Sequence, residues 1–340
     1  MATITIGKTD LQVEQNGFGA LPIQRISQEE AVNLLKLAYE GGINFYDTAR
    51  GYTDSEEKIG RAFRGLREKI VIATKTPARN TEDFWKDLET SLRLLQTDYI
   101  DLYQFHNPPF LPVPGEESGL YEAMQQAKKQ GKIRYIGLTN HRLDIAHQAV
   151  SSQCYDTLQF PFSYLSGEQE AKLVDACRDK GMGFIAMKAL SGGLITNAAA
   201  ACAWLTRYEH VLPIWGIQRT SELADILACI SNPPQLNEAF QAVISADRQE
   251  LTGAFCRACG YCMPCPQGIE ISTCARMSLL LRRAPSANFL GASGQQKMRQ
   301  IELCTECGQC SAKCHYDLDT PALLRRNYQD YMEVLAGKAL

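Results

Sequence analysis

Cysteines are concentrated in two short runs towards the end of the sequence, and their spacing suits the binding of an inorganic group. Eight of the 13 cysteines follow the patterns C-x2-C-x2-C-x2-C-P and C-x2-C-x2-C-x3-C. They are Cys256, Cys259, Cys262, Cys265, Cys304, Cys307, Cys310 and Cys314. A thiolate at every third residue lets three sulfurs surround one compact core, and a fourth thiolate then completes the set from further away.

The two runs resemble the bacterial ferredoxin pattern, in which the fourth cysteine of each run ligates the cluster of the other run. The first run is one residue shorter before its last cysteine, and the second lacks the usual final proline. The resemblance implies two [4Fe-4S] clusters. One would be held by Cys256, Cys259, Cys262 and Cys314, and the other by Cys304, Cys307, Cys310 and Cys265.

Zinc and disulfides are the alternative interpretations of these cysteines. Structural zinc sites usually show paired C-x2-C knuckles or mixtures of cysteine and histidine, so a double C-x2-C-x2-C is poor zinc spacing. Disulfide frameworks belong to small secreted domains. The chain of 340 residues begins MATITIGKTD, which has no apolar segment of a signal peptide.

Composition indicates a globular protein with no general attraction to nucleic acid or membranes. Hydrophobic residues make up 45% of the chain, and the formal net charge is −3. The longest apolar run, around residues 198–205, is too short to span a bilayer. We therefore expect a cytoplasmic protein without a membrane or nucleic-acid partner.

The first two thirds of the chain alternate short apolar runs with helical patterns, after a β-hairpin signal at residues 3–14. The helical patterns include the capping box Ser27-x-x-Glu30. Eight strand–helix units favour a (β/α)8 TIM barrel; a doubly wound sheet would need a third glycine after Gly17-x-Gly19. The predicted strands are 15–21, 43–49, 70–76, 100–106, 135–140, 157–163, 183–190 and 212–218.

The remaining residues predict a small, mainly helical domain around the cysteines. Helices are expected at 235–250, 274–283 and 321–335, with a polar turn at 291–294. This arrangement resembles the all-helical kind of two-cluster ferredoxin domain. The expected domains are therefore a barrel at 1–235 and a cluster domain at 236–340.

Four residues suited to proton transfer lie at or near the ends of predicted strands two to four: Asp47, Tyr52, Lys75 and His106. In such a barrel the chemistry lies at the carboxyl ends of the strands. Carbonyl reduction needs a hydride donor and a proton for the developing alkoxide. A tyrosine beside a lysine ammonium is expected to have a lowered pKa. Asp47 would hold Lys75, and His106 would polarise the carbonyl oxygen.

The barrel part also resembles the aldo-keto reductase family over roughly residues 1–230. The four residues Asp47, Tyr52, Lys75 and His106 fall on the family's catalytic positions, which implies an NAD(P)H-dependent enzyme. The stretches that carry the resemblance are GGINFYDTARGYTDSEEKIG (41–60), IVIATK (70–75), SLRLLQTDYIDLYQFH (91–106) and IRYIGLTN (133–140).

The resemblance implies an extended nicotinamide cofactor lying across the strand ends. Thr139, Asn140 and Gln159 match the positions that grip the carboxamide, and Met187 stands where many members place an aromatic ring. A second group of residues, Gln218 and Arg219, precedes a predicted helix. A helix N-terminus beside an arginine suits a 2′-phosphate, which favours NADPH over NADH; a solvated surface arginine is the alternative.

Hydride transfer to a carbonyl needs no iron, so three functions stay open. The first is NADPH-linked interconversion of a small-molecule carbonyl and alcohol, with clusters that exchange electrons or stabilise their domain. The second is a cluster-fed reductase of another substrate, such as a conjugated double bond. The third is a nucleotide-binding redox sensor with little turnover.

Basic residues between the cysteine runs bear on possible electron-transfer partners. Five of them lie in a stretch without acidic residues: Arg276, Arg282, Arg283, Lys297 and Arg299. Such a stretch is expected either to dock an acidic ferredoxin or flavodoxin, or to form a solvated face that offsets the charge of the clusters.

Overall fold

A closed barrel of eight parallel strands forms the first part of the molecule. The structure is a computed structural model that describes residues 3–251, 255–258, 260, 262–283, 286–314 and 316–339. An antiparallel hairpin of β1 (Thr3–Thr5) and β2 (Gln12–Glu14) precedes the barrel. The barrel strands are β3 (Gly17–Gly19), β4 (Phe45–Asp47), β5 (Val71–Thr76), β6 (Ile100–His106), β7 (Ile133–Thr139), β8 (Thr157–Pro161), β9 (Gly183–Met187) and β10 (Val211–Gly216).

The predicted hairpin and all eight predicted strands are therefore confirmed, and so is the barrel. Strand β10 pairs with β3 and closes the sheet. Because both faces of each barrel strand are covered, the strands are nearly continuous in apolar residues. Polar side chains inside such strands stand out for that reason, and most of the candidate catalytic residues are among them.

Helices connect the barrel strands, and most of them bury an apolar face. The capping box predicted at Ser27 and Glu30 is present, and the apolar face that follows it is buried. The helices are α1 (Gln28–Glu40), α2 (Ser55–Ala62), α3 (Thr81–Leu95), α4 (Leu120–Lys129), α5 (Leu143–Ser152), α6 (Glu168–Lys180), α7 (Ala198–Leu205) and α8 (Thr220–Ser231), with short 3-10 turns at Pro22–Arg25 and Arg67–Lys69.

Helices alone make up the regular structure of the described C-terminal residues. They pack around a core that includes Ile269, Met298, Leu324 and Tyr331. The elements are α9 (Glu238–Leu251), α10 (Ile271–Cys274), α11 (Met277–Arg283), α12 (Ala287–Leu290), α13 (Ala292–Arg299), a 3-10 turn (Gln300–Leu303), α14 (Gln309–Ala312) and α15 (Thr320–Leu335). The prediction of a mainly helical C-terminal domain is confirmed.

Two local expectations for this region were wrong. The helix expected at 274–283 is interrupted between α10 and α11, and the polar turn expected at 291–294 is mostly helical. The physical reason for the second error is packing. A Cβ atom added to Gly294 would lie 1.9 Å from the carbonyl oxygen of Phe289. Gly294 therefore serves the close approach of α13 to α12 instead of a turn.

The packing of Cα atoms divides the chain into two units. One comprises Met1–Leu190 and Asn197–Gln241, and the other comprises Ser191–Thr196 and Ala242–Leu340. The domain limits of 1–235 and 236–340 stay a prediction. Within the described part of the chain, no helix combines the length and the apolarity needed to cross a bilayer.

Candidate functional site

A buried ion pair between Asp47 and Lys75 lies at the carboxyl ends of β4 and β5. The Nζ atom of Lys75 is 2.6 and 2.7 Å from the two carboxylate oxygens, and it also donates to the carbonyl oxygen of Thr48 at 2.6 Å. Both side chains are almost fully shielded from solvent. Burial raises the pKa of Asp47 and lowers the pKa of Lys75, and their mutual attraction opposes both shifts.

Tyr52 is held in a tight turn between β4 and α2. Its backbone N–H donates to the carbonyl of Ala49, and its carbonyl accepts from Ser55. The hydroxyl of Ser55 in turn donates to the carbonyl of Ala20, which ties the turn to the end of β3. The ring of Tyr52 lies with its centroid 5.4 Å from Nζ of Lys75. The short turn between β4 and α2 thus brings Tyr52 to the ion pair.

His106 completes the group of four at the last position of β6. Its ring is edge-on to the ring of Tyr52, with centroids 5.7 Å apart. Burial, followed by the positive charges of Lys75 and Arg79, lowers the pKa of His106 to about 3. The imidazole is therefore neutral at physiological pH, and a neutral imidazole keeps one N–H to donate.

The expectation that Lys75 lowers the pKa of Tyr52 is not met by this arrangement. Burial raises the pKa of Tyr52, and the negative charge of Asp47 raises it further. The main physical reason is burial, and Lys75 does not offset it because its donors are directed to Asp47 and to Thr48. Tyr52 therefore holds its proton at neutral pH.

Sequence reasoning missed Gln104, which connects two parts of the site. Its Nε2 atom donates to Oε1 of Gln159 at 2.9 Å and approaches Oδ1 of Asp47 at 3.4 Å. A usable signal was present, because Gln104 lies two residues before His106 and alternate strand residues share one face. A polar residue on the inner face of a buried strand therefore indicates a role in the site.

Thr139 ends β7, Asn140 follows it, and Gln159 lies in the middle of the neighbouring strand β8; these are the residues expected to hold the carboxamide. Asn140 accepts from the backbone N–H groups of His141 and Arg142 and donates to the carbonyl of Pro108.

A side-chain amide has two N–H donors and two acceptor lone pairs. Asn140 accordingly keeps one donor. The Nε2 of Gln159 approaches Asp47 at 3.4 Å, and its Oε1 accepts from Gln104. Gln159 therefore keeps one donor and one acceptor, so the two residues together fit a primary carboxamide.

Met187 lies at the end of β9, next to Thr139. Its sulfur is 3.7 Å from the hydroxyl oxygen of Thr139. A thioether can lie against an aromatic ring face, so the position suits the nicotinamide interpretation. The roles of Thr139 and Met187 stay predictions.

Gln218 and Arg219 precede α8 as expected, but a carboxylate already occupies this helix N-terminus. Oε2 of Glu222 accepts from the backbone N–H groups of Gln218 at 2.8 Å and of Arg219 at 3.1 Å. The guanidinium of Arg219 is 3.7 Å from Oε1 of the same carboxylate. A 2′-phosphate would therefore compete with Glu222 for Arg219 and for these donors.

A cavity in the C-terminal unit is lined by Cys256, Cys262 and Cys314. These are three of the four cysteines predicted for one cluster; the fourth, Cys259, lies outside the described residues. The backbone N–H of Ala258 donates to the sulfur of Cys256 at 3.3 Å. Thiols from both runs around one cavity, with a backbone donor on a sulfur, fit a cysteine-ligated cluster.

The cysteines predicted to bind the second cluster differ in their exposure to solvent. Cys265, Cys304 and Cys310 pack against the core of the unit, whereas Cys307 is exposed. No cysteine in the described ranges forms a disulfide. Within those ranges no three Cys, His, Asp or Glu side chains converge on one metal-ion position.

The basic stretch does not form a continuous unpaired face. Arg282 makes a two-pronged contact with Asp330 at 2.5 and 2.8 Å, and Lys297 pairs with Glu270 at 2.7 Å. Arg276 is half-buried, and Arg299 is exposed. The side chain of Arg283 lies outside the described residues.

Two protein-family models match the two parts of the chain. Residues 15–201, more than half of the chain, match the model of the Aldo/keto reductase family. The chain belongs to the aldo/keto reductase family. Residues 255–319 match the model of the 4Fe-4S dicluster domain, so this member also carries an iron–sulfur domain.

Two curated relatives illustrate the range of this aldo/keto reductase likeness. The chain is 32% identical over 212 residues to the L-galactose dehydrogenase of Arabidopsis thaliana, covering 56% of this chain and 66% of that protein. It is 28% identical over 309 residues to the NADH-specific methylglyoxal reductase of Escherichia coli strain K12, covering 72% and 94%. The alignments with the first relatives span only 60 to 66% of those proteins.

Among solved structures, an aldo-keto reductase from Klebsiella pneumoniae in complex with NADPH has the same fold. The TM-score is 0.61 at 24% identity, over 72% of this chain and 94% of that one. At this identity the likeness establishes the barrel alone. The family is one of oxidoreductases, so the expected enzyme class is confirmed at the level of the family.

Proposed function

We propose that the protein is an NADPH-linked oxidoreductase that interconverts a small-molecule carbonyl and alcohol. The observation that carries the proposal is the buried Asp47–Lys75 pair, with Tyr52 and His106 placed beside it at adjacent strand ends. Four groups with complementary proton chemistry around one point are rarely needed for stability alone.

In the reducing direction, Tyr52 donates its proton to the carbonyl oxygen. His106, neutral because of its low pKa, donates a hydrogen bond to the same oxygen and stabilises the charge that develops there. The tyrosinate left behind lies beside Lys75, whose Nζ atom is 5.4 Å from the centroid of the Tyr52 ring, and solvent reprotonates it. When bound, the reduced nicotinamide supplies the hydride for the carbonyl carbon. Because Tyr52 holds its proton at neutral pH, the proton that reduction needs is in place before the hydride is transferred.

The nicotinamide is proposed to lie against Met187, with its carboxamide held by Thr139, Asn140 and Gln159. Asn140 has one N–H to offer to the carboxamide oxygen, and Gln159 has one acceptor for its N–H. Gln218 and Arg219 are proposed to hold the 2′-phosphate of NADPH. The pairing of Arg219 with Glu222 is the structural argument for NADH instead.

The C-terminal unit is proposed to hold two [4Fe-4S] clusters. One is assigned to Cys256, Cys259, Cys262 and Cys314, supported by the shared cavity; the other is assigned to Cys304, Cys307, Cys310 and Cys265. The clusters exchange single electrons or stabilise their domain. An acidic ferredoxin or flavodoxin remains the proposed electron-transfer partner, although the ion pairs of Arg282 and Lys297 weaken the argument for a basic docking face.

One anaerobic experiment tests the proposal. The purified full chain is given NADPH and a panel of aldehydes and ketones, and both nucleotide oxidation and the visible absorption of the clusters are followed. Nucleotide oxidation that depends on the carbonyl supports the proposal. Tight nucleotide binding without turnover on any carbonyl would favour the sensor alternative. Bleaching of the clusters by NADPH without a carbonyl would show that the two parts exchange electrons.

The domain limits of 1–235 and 236–340 are part of the proposal, as is the cytoplasmic location. Limited proteolysis of the full chain, followed by mass spectrometry of the fragments, tests the limits. Cleavage between β10 and α9 that leaves a barrel-sized fragment is the expected result.

A further inference from the structure

Arg276 is a partly buried cation at the break between α10 and α11. Its Nε atom is buried and has no hydrogen-bond partner among the residues the structure describes. Within the same residues, its guanidinium forms no ion pair with a carboxylate. A buried N–H donor without a partner is costly, and a partly buried charge without a counter-ion is stabilised by a negative neighbour.

One contact and one neighbour in the sequence indicate where this cation lies within the C-terminal unit. A Cβ atom added to Gly192 would be 3.2 Å from Nη2 and 3.3 Å from Nη1 of Arg276, so the guanidinium rests on the backbone of that glycine. Ala275, which directly precedes Arg276 in the sequence, lines the cavity together with Cys256, Cys262 and Cys314.

Electrostatics point in the same direction. Burial lowers the pKa of Arg276, whereas the charge of Cys256 raises it. Among the described residues, Cys256 is the group whose charge raises the pKa of Arg276. The negative neighbour that this cation needs is therefore at the cysteine cavity.

We propose that Arg276 sets the reduction potential of the cluster assigned to Cys256, Cys259, Cys262 and Cys314. Reduction adds one electron to the cluster, breaks no bond, and makes its net charge more negative by one. A fixed cation beside the cluster stabilises the reduced form more than the oxidised form, because attraction grows with charge. Arg276 therefore raises the potential of that cluster relative to one without it.

The inference rests on the cluster ligands of the proposed function but not on carbonyl reduction. It is tested by anaerobic redox titration of the full chain without substrate, monitored by visible absorption and by electron paramagnetic resonance. Iron and sulfide content are measured first. A wild-type chain without clusters would refute the proposed ligands, whereas intact clusters with unaltered potentials in the variants would overturn only the role of Arg276.

Arg276→Gln removes the charge and keeps a similar size. We expect one of the cluster potentials to become more negative, so that at fixed solution potential the ratio of reduced to oxidised cluster falls on the order of tenfold, about 59 mV for a one-electron couple. Arg276→Lys keeps the charge and should stay close to wild type. Arg282→Gln, which removes an exposed arginine paired with Asp330, is the control and should shift neither potential.

Gly192 and Gly193 offer a matched pair that leaves the charge in place. Both have positive φ angles, +67° and +91°, so alanine strains the backbone at either position. Only at Gly192 would the new methyl group meet the guanidinium; at Gly193 nothing described lies within 4 Å. Gly192→Ala should shift the same potential as Arg276→Gln, and Gly193→Ala should not.

The other possible results for the Arg276 variants also support or overturn the role of Arg276. Unchanged potentials in Arg276→Gln with full iron content overturn the proposal. If Arg276→Gln loses the cluster, Arg276→Lys decides: retention of the cluster at the wild-type potential supports a required cation. Loss of the cluster in Arg276→Lys as well assigns Arg276 to packing and overturns the proposal.

Discussion

Lys75 directs its ammonium group to both carboxylate oxygens of Asp47, at 2.6 and 2.7 Å, in the closed interior of the barrel end. Removing one partner would leave the other as an uncompensated buried charge. Asp47→Asn should therefore lower the free energy of unfolding by about 3 kcal/mol or more. The double variant Asp47→Asn/Lys75→Met should recover much of that loss. Urea unfolding followed by far-UV circular dichroism measures both, and equal losses in the single and double variants would contradict a coupled pair.

Tyr52 is the proposed proton donor, and its hydroxyl is the atom to remove. Tyr52→Phe should lower kcat for carbonyl reduction by about 100-fold to 10,000-fold, the range ascribed to general acid catalysis. Nucleotide affinity should hardly change. The matched control is Tyr99→Phe. Tyr99 packs on Arg67 just before β6 begins, whereas His106 of the site is the last residue of β6. Undiminished turnover in Tyr52→Phe would remove Tyr52 from the mechanism.

The pH dependence of reduction follows from two pKa shifts. His106 has a pKa lowered to about 3, so it stays neutral as the pH falls through the usual histidine range. Tyr52 has a raised pKa, so it stays protonated as the pH rises. An unperturbed histidine titrates near 6.5 and an unperturbed tyrosine near 10. Because the first pKa is lowered and the second is raised, we expect kcat/KM for reduction to be level from about pH 5 to about pH 9. An acid limb with a midpoint near 6.5 that disappears in His106→Gln would contradict the neutral imidazole.

The preference for NADPH or NADH depends on whether a 2′-phosphate can compete with Glu222 for Arg219. Arg219→Ala should weaken NADPH binding by about tenfold, the loss expected from one charge-assisted hydrogen bond, and leave NADH binding within about twofold. Glu222→Gln should tighten NADPH binding, because it removes a carboxylate from Arg219 and from the helix N-terminus. Fluorescence titration with both nucleotides measures this. Equal NADPH affinity in wild type and Arg219→Ala would refute the phosphate assignment.

Ligation across the two cysteine runs can be tested with a single substitution. Cys314 lines the cavity with Cys256 and Cys262 although it belongs to the second run. Cys314→Ala should therefore lose the cluster of the first run and keep that of Cys304. Cys274→Ala is the control, because Cys274 is a buried free thiol of the same unit outside both runs. Mössbauer spectroscopy and iron content report the number of clusters; loss of the second-run cluster instead would indicate ligation within each run.

Much of the fold could be predicted from the sequence because its signals are local along the chain. Strands buried on both faces are short apolar runs, and a capping box such as Ser27 with Glu30 needs only residues three apart. The same holds for the cysteine runs, because the spacing of the thiols along the chain is enough to predict the cluster ligands. The strand-end positions of Asp47, Lys75 and His106 follow from the strands, since parallel strands present their carboxyl ends together.

Only the tertiary structure decided how these groups influence one another. The sequence indicates that Tyr52 and Lys75 share a site, yet the pKa of Tyr52 rises through burial and the charge of Asp47, to which Lys75 directs its donors. It places Arg219 before a helix, yet Glu222 occupies that helix end. Interaction energies depend on distances of a few ångströms and on burial, which arise from strand register and side-chain packing between residues far apart in the chain.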